Sequence, residues 1–100
     1  MKQDIFNQYV DRIVDLFGVS KDEIFSKNKR RDVVDARHLI YYLCYRRPMA
    51  LGYIQKFMEA NGYDIKHSSI IHGVSSVSDK VKEDADYAHI VKEIEKAVFI

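Results

Sequence analysis

Apolar residues in this chain recur at intervals of three and four almost from end to end, and nowhere do they alternate with a period of two between turn signals. Such spacing gathers side chains on one stripe of an α-helix and cannot line one face of a strand. The chain is therefore predicted to be all-α, with no sheet. Ile5, Tyr9, Val10, Ile13, Val14 and Phe17 form a first stripe, and Gly18 stands where a left-handed residue ends a helix. Ser20-Lys-Asp-Glu23 has the form of a capping box, which predicts a short helix ending near Phe25. A long helix opening at Val33 can turn Val34, Leu39, Ile40, Leu43 and Cys44 inward, and Pro48 must stop it at Arg46 or Arg47. Leu51, Ile54, Phe57 and Met58 belong to a helix from about Ala50 to Asn61, with Asn61-Gly62 as its left-handed exit. Asp64, or less typically Lys66, caps the next, whose inner face is Ile70, Val74, Val77 and Val81. Asp84 or Asp86 begins a last helix carrying Ile90, Val91, Ile94 and Val98. The reading is a compact bundle of about five to six helices.

The 100 residues suffice for one hydrophobic core and are too few for a second, so a single domain over 1–100 is expected. The longest apolar run, Leu39 to Tyr45, falls far short of the roughly 20 residues a membrane helix needs. The first ten residues carry Asp4 and lack the basic end and apolar block of an export signal. Cys44 is the single cysteine, which fits a reducing, cytoplasmic setting and a small buried hydrophobe. No metal or cofactor is expected: His67 and His72 are five apart, out of phase for two ligands on one helical face, and no Glu lies between them. No Ser-His-Asp or paired-carboxylate arrangement stands out, so the chain does not read as an enzyme. The clustered Tyr41, Tyr42 and Tyr45 read as core and groove packing rather than as a stacking platform for single strands.

The net charge of +1 is informative only once it is located. From Lys21 to Arg47 eight cations face four anions, whereas the tail from Asp79 onwards has four lysines against six acids. That asymmetry suits one face for an anionic partner and another for water. Ser26 to Asp32 contains no apolar residue and reads as an exposed loop bearing Lys27, Lys29, Arg30 and Arg31. If these cations neutralise phosphates of double-stranded DNA, log affinity should fall with log salt at a slope of roughly −4.

Two helices joined by a short glycine-containing turn, about Ala50–Asn61 and Lys66–Lys80, have the outline of a helix-turn-helix. The outer face of the second is polar and mostly small: Lys66, His67, Ser69, His72, Gly73 and Ser76, with Ser68 beside them. Small residues let a backbone approach a groove floor, while Lys66, His67 and the serine hydroxyls can meet base edges or phosphates.

From about Val14 to Val98 the chain resembles the DNA-binding C-terminal domain of the bacterial replication initiator DnaA. Ser26-Lys-Asn-Lys-Arg-Arg-Asp-Val-Val-Asp-Ala-Arg-His38 has the form of that family's basic loop and following helix. His67-Ser-Ser-Ile-Ile-His-Gly-Val74 is similar to its Asp-His-Ser/Thr-Thr-Val-Leu-His-Ala signature. The resemblance implies that Arg31 enters a minor groove, that Lys27 and Arg37 lie near phosphates, and that His67, Ser68 and Ser69 read the major groove. His72 matches the family's second histidine. The implied role is replication initiation or transcriptional regulation through sequence-specific binding of double-stranded DNA. A module docking on another replication protein is the alternative. Three departures accompany the likeness: Lys66 replaces the aspartate, Ser75 and Ser76 replace basic residues, and Leu51 to His67 is about four residues longer, roughly one helical turn. None of the four glycines belongs to the Gly-Lys-Ser/Thr loop of a nucleotide-binding motor, so no nucleotide is expected here. If Met1 is the natural start, the expectation is a free-standing binding domain; if it is a cloning boundary, the motor has been cut away.

Overall fold

The structure, a computed structural model, describes residues 1–98. These form six α-helices: α1 (Lys2–Phe17), α2 (Lys21–Ile24), α3 (Arg31–Arg46), α4 (Leu51–Ala60), α5 (His67–Glu83) and α6 (Ala85–Ala97). Among the described residues there is no strand, as the uniform helical spacing requires.

The centre is α3. Leu39, Ile40, Tyr41, Tyr42, Leu43 and Cys44 are all buried in succession, so this part of the helix is covered on every side, mainly by α5 and α1. A helix apolar all round has no face to offer water and must sit inside. Tyr45, which ends the apolar run, is half exposed. On α1 the buried set is Phe6, Tyr9, Val10 and Ile13. Phe6, outside the predicted stripe, is buried because its ring meets Phe57 of α4 and Phe25 beyond α2, at centroid distances of 5.4 and 6.4 Å.

The termini follow local chemistry. Gly18 adopts φ 65° and ends α1. The capping box forms in full: Glu23 N–H donates to Ser20 Oγ at 3.1 Å, and Ser20 N–H donates to Glu23 Oε1 at 2.9 Å. Gly62, at φ 92°, closes α4 by donating to the Glu59 carbonyl at 2.9 Å while Tyr63 N–H donates to Met58 O at 3.0 Å. Only a residue without Cβ takes that conformation cheaply. Asp84 caps α6 by accepting from the amides of Asp86 and Tyr87.

Several expectations are corrected. The basic loop is shorter than its polar composition implies, because Arg31 and Asp32 already belong to the first turn of α3. Asp32 accepts from Val33 N–H at 2.8 Å and puts a negative charge at the helix's positive end, which favours the earlier start. Lys66, not Asp64, is the N-cap of α5, and it makes no side-chain capping bond. Gly73 lies in the interface between α5 and α3 rather than on the outer polar face, and Ile90 is 43% exposed rather than core. Among the described residues no helix is long and apolar enough to cross a membrane.

Candidate nucleic-acid interface

The loop between α2 and α3 has few backbone partners of its own and takes its shape from Arg37. That side chain is only 5% exposed. Its Nε donates to the Ile24 carbonyl at 2.9 Å, and one Nη donates to the carbonyls of Glu23 (3.2 Å), Ser26 (2.9 Å) and Asn28 (3.3 Å). A planar guanidinium with donors at fixed angles can gather several carbonyls in this way, whereas an ammonium cannot. Arg37, implied near phosphates, is thus turned inward, and the sequence alone gives no sign that its partners are local backbone.

Tyr63 carries the loop to the helix-turn-helix. The Arg37 guanidinium lies 4.7 Å from its ring centroid and the Lys27 ammonium 4.3 Å from the same point. Lys27 Nζ also donates to the Asp64 carbonyl at 2.7 Å. From the other side Gln55 of α4 donates to the Ile65 carbonyl at 2.7 Å. The six-residue connection from Asn61 to Lys66 is therefore pinned by α4 and by the basic loop together. Tyr63 escaped the sequence reading. Its signal is an aromatic residue directly after a glycine helix exit, the position where an apolar contact back to the helix commonly sits.

Two adjoining hollows result. One is lined by Lys29 of the loop, Arg37 and His38 of α3, and Ser68, Ser69 and His72 of α5. The other is lined by Lys27, Asp64, Lys66 and Ser69. Lys27 and Lys29 of the loop thus lie beside the polar onset of α5, whereas Arg30 and Arg31 line neither hollow. There α5 presents an N-terminus with no side-chain cap; the Ser69 amide already donates to the Lys66 carbonyl at 3.1 Å, while the helix dipole favours an anion beyond it. His67, the first residue of α5, is exposed and lines neither hollow.

Charge on this surface is unevenly available. Arg30 is held by Asp32 and Glu23, each at 2.7 Å. Hydrogen bonds to these two carboxylates raise its already high pKa. Arg31 is 85% exposed and among the described residues pairs with Asp35 alone, at 3.4 Å, a carboxylate shared with Lys80 of α5 at 3.3 Å. Through Asp35 the exposed arginine is tied to the α5 side of the molecule. His38 and His72 meet edge to face, with centroids 5.7 Å apart. Burial, and after it the neighbouring His72, pushes the His38 pKa below the usual histidine value. Among the described residues no group of three His, Cys, Asp or Glu side chains is placed to hold a metal.

Residues 7–77 match the model of the bacterial DnaA protein helix-turn-helix family, which covers both the basic loop and the start of α5. The chain belongs to this family. It is 27% identical over 92 residues to the chromosomal replication initiator protein DnaA of Aquifex aeolicus, a match that covers 92% of this chain and 22% of that protein. It is 29% identical over 77 residues to the chromosomal replication initiator protein DnaA 2 of Chlamydia caviae, covering 77% of this chain and 16% of that one. The chain thus spans no more than about a fifth of the length of these DnaA relatives. The match to the family ends within α5, so α6 lies beyond it.

Proposed function

We propose that the chain binds double-stranded DNA sequence-specifically, with the N-terminal turns of α5 in the major groove and the basic loop along the adjacent minor groove. The role that fits the family is replication initiation or transcriptional regulation. One observation carries the reading: Lys29 of the loop shares a hollow with Ser68, Ser69 and His72 of α5. A duplex strand separates its minor from its major groove, so a protein that reaches into both must pass one sugar-phosphate chain between its two elements. Two adjoining hollows, one edged by Lys29 and the other by Lys27 and Lys66, lie beside the N-terminus of α5 and support reading this surface as that passage.

Roles follow from position. His67 and Ser68, exposed on the first turn of α5, read base edges; Ser69, His72, Lys27 and Lys66 hold phosphates. Lys29 and the exposed Arg31 follow the minor groove. Arg37 contributes by shaping the loop, and Arg30 contributes little charge because two carboxylates already neutralise it.

A salt titration by fluorescence anisotropy tests the reading. Mixed-sequence duplex should bind at micromolar or lower concentration at roughly 50 mM salt, with a log–log slope near −4. Arg31→Ala should weaken every duplex alike, while His67→Ala should alter preference among sequences. No association at low salt would overturn the proposal and favour a protein-docking module instead.

A further inference from the structure

A hollow opens between α1 and α6. Leu16 of α1, 52% exposed, and Ile90 of α6, 43% exposed, line it together with the more deeply set Ile94 and Ala97. A lone apolar side chain on a surface is ordinary, but two from different helices over an apolar base make a patch of the kind that partners cover. Its edges carry Arg12 and Asp15 on α1 and His89 and Glu93 on α6, all four exposed. Among the described residues neither Arg12 nor Asp15 has an ion-pair partner. Glu93 has only the loose contacts of its own helix, 3.8 Å to His89 Nε2 and 3.9 Å to Lys96 Nζ.

We infer that this hollow joins two copies of the chain in solution, each seating its Leu16 and Ile90 against the other's. Charge selects the occupant. Each helix edge brings one carboxylate and one nitrogen donor, so the edge of α1 complements the edge of α6. Set against each other across a two-fold axis, Arg12 meets the partner's Glu93 and Asp15 meets the partner's His89, and each contact is made twice. A partner rich in one sign of charge would leave half of this edge opposed by its like. The hollow shares no residue with the two beside the onset of α5, so a pair formed here leaves both DNA-facing surfaces open, and the inference stands apart from the DNA-binding reading. One hollow per copy is a small interface, which places the pair among weak, concentration-dependent complexes.

Sedimentation velocity of the whole chain tests the pairing. The average mass should rise from monomer towards dimer between about 5 and 500 μM protein. Leu16→Lys should raise the dissociation constant about tenfold, because each pair loses that apolar contact twice, and Ile90→Lys should act alike. Both side chains are exposed, and circular-dichroism melts close to that of wild type will show that the variants fold. Arg12→Glu alone should weaken the pair about fivefold, and so should Glu93→Arg alone. The double variant Arg12→Glu with Glu93→Arg should recover most of that loss, which a merely structural role of either residue would not give. A chain that stays monomeric throughout, or a folded Leu16→Lys and Ile90→Lys that pair as wild type does, overturns the inference and leaves the DNA-binding reading untouched. Absence of recovery in the double variant overturns it as well.

Discussion

The guanidinium of Arg37 stacks 4.7 Å from the ring centroid of Tyr63, which joins the beginning of the central helix to the turn of the helix-turn-helix. The basic loop hangs on the same guanidinium through four carbonyls. Loop and helix-turn-helix are therefore joined through this buried cation, with Lys27 beside it on the same ring.

Arg37→Lys tests that relation without changing net charge. A lysine ammonium cannot reach carbonyls spread from Glu23 to Asn28 or stack flat on Tyr63, so buried carbonyls lose their donors. The variant should lose about 2–3 kcal/mol in urea unfolding. It should also bind duplex more weakly at all sequences. Unchanged stability would mean that the loop holds its shape without Arg37.

Gly73→Ala should destabilise, although alanine ordinarily favours a helix. A Cβ at that position would stand 2.9 Å from ring carbons of both His38 and Tyr41. His38 is only half-buried and can shift, but Tyr41 is 1% exposed with neighbours on all sides. Overpacking of this kind costs about 1–3 kcal/mol, more than the gain in helix propensity. A thermal melt of the variant will show the sign directly.

Most helix ends were legible in the sequence because each rests on local chemistry: Gly18, the Ser20–Glu23 box, Pro48 and Gly62 act within one turn of themselves. The start of α3 was misread because Asp32 serves a solvated loop and a helix's first turn equally well. Of the two N-caps the sequence offers for α5, the structure takes Lys66, although Asp64 has the better capping side chain; the Asp64 carbonyl is engaged by Lys27, 37 residues earlier in the chain. In the site, spacing identified the cations but not their availability. Arg30 and Arg31 are adjacent in sequence, yet one is neutralised by two carboxylates and the other is almost free. Asp32 and Asp35 are sequence neighbours of the two arginines, but only the fold brings Glu23 to Arg30. Gly73 has the same lesson: smallness on a polar face read as room for a ligand, whereas the room is taken by Tyr41 and His38.

His38 makes stability pH-dependent. Its folded pKa lies below the unfolded value, so the neutral form is favoured by folding; the contribution is intact above about pH 6.5 and is lost as pH falls through the histidine range. Asp35 opposes the shift, while His72, Lys80 and Arg37 reinforce that of burial. Chemical denaturation of wild type should become easier between about pH 7 and 5, and His38→Gln should flatten that dependence. Phosphates at the hollow would draw the proton back, so duplex affinity should rise over the same interval and lose part of that rise in the variant.

Cys44 should resist thiol reagents in the native protein. It is fully buried in α3, and burial pushes its thiol up to about 12, so thiolate is scarce even where a reagent gains entry. Modification by an aromatic disulfide at neutral pH should follow global unfolding, and its rate should rise with urea in step with loss of helix signal. Rapid labelling without denaturant would show that α3 opens locally.

Arg30 and Arg31 offer the sharpest test of how charge is used. Each neutralised phosphate releases condensed counterions, so a residue that contacts one contributes about 0.9 to the magnitude of the salt slope. Arg31 is 85% exposed and pairs with one carboxylate at 3.4 Å, and its removal should reduce the slope by about one unit. Arg30 already bridges Glu23 and Asp32 at 2.7 Å, and it must break those contacts before it can meet DNA. Arg30→Ala should therefore change the slope much less, and by freeing two carboxylates beside the duplex it should still weaken binding through repulsion. Equal slope changes for the two variants, measured by anisotropy over a range of salt, would mean that the loop rearranges on DNA and that both arginines reach phosphate.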